Sequence, residues 1–82
     1  MDDRGYSLRI VRANEQADSG NIGVLLGRLC IKKEIPVSQV AEFLNVSRMS
    51  VYNWFCGRGF PRKKMQLKIK EILEKLGDAQ GG

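Results

Sequence analysis

The chain has 82 residues, a formal net charge of +5, two cysteines and no histidine. One small domain with a single modest core is expected from that length, and imidazole catalysis and the common His-containing zinc sites are excluded. No run approaches the roughly 18 apolar residues of a membrane span, and MDDRGYSLRIVR lacks the order of a secretory signal; the expectation is a soluble cytoplasmic protein in which Cys30 and Cys56 are reduced thiols.

In chain order, Tyr6, Leu8 and Ile10 alternate with Ser7 and Arg9, a pattern that predicts a half-buried strand over Tyr6–Val11. The polar stretch Ala13–Asn21 reads as a linker. A lone strand has no partner in a helical domain, so residues 1–20 are expected to be an N-terminal arm, either flexible or a pairing element for a second subunit. Ile22–Lys33 then predicts a helix with Ile22, Leu25, Leu26 and Leu29 on one face, Ser19 or Asn21 as its cap, and Gly23 and Gly27 marking a close helix contact. Pro36 sets the start of the next helix. Along it Val37, Val40, Ala41 and Leu44 stand at i, i+3, i+4 and i+7 and share one face. Asn45-Val46-Ser47 predicts a sharp corner: a residue tolerant of the left-handed conformation, an apolar plug and a cap for a new helix.

Advancing about 100° per residue from Arg48 groups Ser50, Val51, Trp54 and Phe55 inward and spreads Arg48, Met49, Tyr52 and Asn53 over the opposite side. Gly57 and Gly59 permit a helix-ending turn. A last helix is predicted from about Pro61 to Leu76, with Met65, Ile69, Ile72, Leu73 and Leu76 inward and Gly77 as its stop. Residues 78–82 read as a disordered tail. The fold class is therefore all-α, four to five helices over 21–77 behind a flexible or strand-like arm.

Charge is unevenly distributed. Between Glu42 and Glu71 no acid occurs, while Arg48, Arg58, Arg62, Lys63, Lys64, Lys68 and Lys70 all fall there. A purely basic interval of this kind favours a polyanionic partner.

The segment VSQVAEFLNVSRMSVYNWF resembles the helix-turn-helix of lambda-repressor-like (Cro and phage-repressor type) transcriptional regulators. Ala41 matches the small position where the two helices touch, Asn45 the turn position usually held by Gly, Val46 the plug, and Val51 and Trp54 the inward residues of the second helix. Trp54, Gly57 and Pro61 match the W-x-x-G-x-x-x-P spacing that recurs there. Val37 departs from the family, many of whose members carry at that place a Gln that buttresses a phosphate contact. The resemblance covers roughly residues 22–76. It implies a compact DNA-binding domain in a bacterial or phage-infected cell, acting as a homodimer on a two-fold operator, with double-stranded DNA as partner.

If the second helix of the motif enters the major groove, base edges would meet Arg48, Met49, Asn53 and Ser47. Arg48 can donate two bonds to guanine, Asn53 can match adenine and Met49 can touch a thymine methyl. Ser47, Tyr52, Arg58, Arg62, Lys63 and Lys64 would hold phosphates, and cations at a helix start, which oppose the helix dipole, suit a bound phosphate. Trp54 and Phe55 read as core. Two function classes stand side by side: a sequence-specific regulator of the phage-repressor type, and a protein-interaction module that uses Met49 and Tyr52 to bind a polymerase subunit, a toxin or another regulator. No cofactor or metal site is indicated, and no acid pair, phosphate-cradling glycine loop or activated nucleophile supports an enzyme.

Overall fold

The computed structural model describes residues 6–77. Its elements are α1 (Leu8–Gln16), α2 (Ile22–Lys33), α3 (Val37–Leu44), α4 (Arg48–Phe55) and α5 (Lys63–Ile72), the last running on into a π-helical turn, Leu73–Gly77. Among the described residues there is no strand, in agreement with the all-α expectation. The first five residues and the expected tail, 78–82, lie outside the described residues.

Helix boundaries follow local chemistry. Ser7, Asn21 and Ser47 cap α1, α2 and α4, each side-chain oxygen accepting a backbone N–H of the first turn. Three helices end alike. The N–H of Ile35 reaches Cys30 O, that of Val46 reaches Ala41 O and that of Arg58 reaches Asn53 O, each across a residue at positive φ: Glu34 (58°), Asn45 (59°) and Gly57 (76°). This back-folded closure satisfies carbonyls that a helix end would leave unpaired. Pro61 does not begin α5; it is buried just ahead of the N-cap residue Arg62, and its carbonyl accepts a 2.8 Å bond from Gln66 Nε2.

The largest correction concerns the N-terminal arm. In the segment Tyr6–Val11, expected as a strand, Ser7 caps α1 and Leu8–Val11 are its first turn, and the first four residues of the expected linker, 13–16, continue that helix. Six residues can fit both a period of 2 and a period of 3.6, and a helix satisfies its backbone without a partner strand. Inward residues fall at Ile10, Asn14 and Ala17, while Leu8 is 63% exposed. Polar bonds fix this helix in place. The carboxamide nitrogen of Asn14, fully buried, donates to Val24 O (3.1 Å) and Phe55 O (2.8 Å), joining α1 to α2 and α4. Arg28 Nη2 donates to the carbonyls of Asn14 (3.3 Å) and Ala17 (3.1 Å) at the end of α1, where a cation also meets the negative end of the helix dipole. Tyr6 donates its O–H to Ile35 O and sets its ring 6.1 Å from that of Phe55.

The core gathers Leu26 and Cys30 from α2, Val37, Val40, Ala41 and Leu44 from α3, Val51 and Phe55 from α4, and Ile69 from α5. All four stripe residues of α3 are buried as expected. On α2 the buried face matches the expected one in part: Leu26 and the close-contact glycines Gly23 and Gly27 are buried, joined by Val24 and Cys30, while Ile22 and Leu29 are half-buried and Leu25 is 38% exposed. Close approach is the reason. A Cβ on Gly23 would lie 2.7 Å from Trp54 Cβ, and one on Gly27 2.6 Å from Asn14 Nδ2 and 2.9 Å from Phe55 Cγ. The glycines therefore turn toward α4 and α1, and the face is chosen by size before hydrophobicity. Cys30 and Cys56 are both free thiols, and burial pushes the Cys30 thiol up to about 12.

Candidate nucleic-acid interface

The exposed end of α4 is built from the corner that precedes it. Asn45 takes the left-handed conformation without a glycine, and Val46 turns into the core edge. Ser47 Oγ then accepts the Ser50 N–H at 3.2 Å and lies 3.1 Å from Ser50 Oγ. With Val51 and Phe55 fully buried, the rotation of α4 is set. Ser47 and Arg48 are exposed, Met49 is 68% exposed, Tyr52 sits at the border and Asn53 is half-buried. Trp54 is half-buried against the core, consistent with its structural reading.

Arg48 stands at the junction of two surface grooves. One lies between the starts of α1 and α3 and brings Tyr6, Ser7 and Ser38 together with Arg48 and Tyr52. Its neighbour carries Ser47 and Arg48 against the outer side of α3. No side chain caps α3, whose N-cap residue is Pro36, so its first amides face this region without a side-chain acceptor. A guanidinium, hydroxyls and a phenol around uncapped amides form a surface whose chemistry suits an anion. Burial, with smaller contributions from Cys30 and Tyr52, pushes the Tyr6 phenol above its ordinary value, so it remains a donor across the physiological range.

The expected site residues are thus partly gathered. Ser47, Arg48, Met49, Tyr52 and Asn53 share one helix start, with Asn53 the least open. Arg58 is exposed on the turn after α4, and Arg62, Lys63 and Lys64 are exposed at the start of α5. Lys63 belongs to another surface, a groove between α2 and α5 that it shares with Leu25, Leu67 and Lys70. Sequence reasoning missed Ser7, which the start of α1 brings toward Arg48, and Ser38, which α3 brings there. Among the described residues no group of acids and cysteines converges as a metal site, and no helix is long and apolar enough to cross a membrane. Comparisons with models of protein families, with curated proteins and with solved structures found no match to this chain.

Proposed function

We propose that the chain is a sequence-specific double-stranded DNA-binding regulator, a repressor of the phage type with a lambda-repressor-like helix-turn-helix formed by α3 and α4. The observation that carries this reading is the start of α4: Arg48 and Met49 project outward while Val51 and Phe55 anchor the opposite side at 0% exposure. In this reading Arg48, Met49, Asn53 and Ser47 read base edges. The groove holding Ser38, Arg48 and Tyr52 takes a phosphate, and Arg58, Arg62 and Lys64 hold the flanking backbone. One helix reads few base pairs, so two copies act on a two-fold site.

Selection of duplexes from a random library by the purified protein tests this. The expected outcome is an enriched, palindromic sequence; equal binding to all duplexes at physiological ionic strength defeats the reading. Arg48→Ala or Asn53→Ala should relax preference at single positions, at about 1–3 kcal/mol per lost bidentate contact. Lys64→Ala should flatten the log–log salt slope by about 0.9 without changing the preferred site. Met49, 68% exposed, also favours a second reading, a protein-interaction module. Such a module would keep its partner after the Arg48 and Asn53 substitutions.

A further inference from the structure

We propose that the groove between α2 and α5 docks an acidic amphipathic helix of a partner protein. Its apolar walls are Ile22, Leu25, Leu67 and Leu73, its charged members are Lys63 and Lys70, and among the described residues no carboxylate lines it. Leu67 is 67% exposed and Leu25 38% exposed, so the apolar part is open to water.

The arrangement on α5 is regular. Lys63, Leu67 and Lys70 stand at i, i+4 and i+7, one face of the helix, so a leucine is bracketed by two ammonium groups whose Cα atoms lie about 10 Å apart along the axis. The first turn of α5 holds Lys63 and Lys64 and no acid, and cations there oppose the helix dipole. Carboxylates arriving from a partner would relieve that opposition.

Charge complementarity selects the occupant. A nucleic-acid backbone would use the lysines but leave the leucines idle, whereas a second copy of a chain with a net charge of +5 brings further positive charge. A helix carrying leucines flanked by acids one or two turns apart satisfies both kinds of wall at once. Gln66, held by Pro61 O at 2.8 Å, fixes one wall before the partner arrives. This surface involves none of the α4 side chains, so the inference stands whether or not α4 reads DNA.

The test is a fluorescence-anisotropy titration of the full chain with a labelled synthetic peptide of about 15 residues, long enough for marginal helix formation, bearing a leucine stripe flanked by glutamates. Saturable binding is expected, weakened about tenfold or more, equivalent to about 1.4 kcal/mol, by Leu67→Asp or Lys70→Glu. Both residues are exposed, neither belongs to the proposed DNA surface, and each variant should keep duplex affinity and thermal stability. Replacing the peptide's leucines by serine should weaken binding as much. Absence of binding overturns the inference, as does binding that ignores Leu67 and follows peptide charge alone. Amide shifts in the bound state centred on Arg48 and Tyr52 would overturn it too.

Discussion

The two sides of the core are joined by different means. Between α3 and α4 the contact is apolar: Val40, Ala41 and Leu44 meet Val51 and Phe55 with every one of these side chains buried. Between the N-terminal segment and the rest, polar bonds stand beside the Tyr6–Phe55 ring contact: the buried Asn14 carboxamide and the half-buried Arg28 guanidinium and Tyr6 hydroxyl. An apolar contact can exchange one methylene for another at modest loss. A buried hydrogen bond cannot, because removing one partner strands the other.

That contrast is tested first where the effect is largest. Leu44→Ala on the apolar side should cost about 2–5 kcal/mol by chemical denaturation, lowering the midpoint with little change in slope. A loss under 1 kcal/mol would mean that α3 and α4 are not cemented by this side chain. On the polar side, Asn14→Ala removes both amide bonds while leaving Val24 O and Phe55 O in place. A loss of about 1–3 kcal/mol is expected; a neutral result would show that α1 is dispensable to the core.

The alkaline limb of stability sharpens the same contrast, since the raised thiol lies on α2. The folded state keeps the Cys30 proton up to about 12, while the unfolded thiol releases it near 9. Protons are then bound more tightly by the folded form, so this contribution is complete below pH about 9 and fades as pH rises between those values. The decline cannot exceed about 1.4 kcal/mol per pH unit for one group. Thermal unfolding between pH 8 and 11 should show a shallower decline for Cys30→Ala than for the natural protein.

The same division decides what could be read from the residues alone. The α3 stripe, the Asn45 corner and the Ser47 cap were legible because apolar spacing and caps act locally. The helix at Leu8–Gln16 was not, because its core residue is an asparagine and its anchors lie 10 and 41 positions away in the chain. Glu34 at positive φ carries no compositional signal, since it holds that conformation through the bonds of Glu34 and Ile35 to the end of α2. On α2 the close contact at Gly23 and Gly27 was legible from their spacing, whereas the apolar stripe placed Leu25 inward because periodicity alone does not show that the glycines set the face. The basic interval was visible as a run, but the division of its cations between the α4 edge and the α2–α5 groove required the fold.

The carboxamide of Asn14 has one further consequence. Because it grips Phe55 O at the far end of α4, the orientation of that helix depends on a segment lying entirely before residue 22. A truncated fragment starting at α2 would keep the apolar stripes of α2 to α5 yet lose the strut that aims α4, together with the Tyr6 ring that packs beside Phe55.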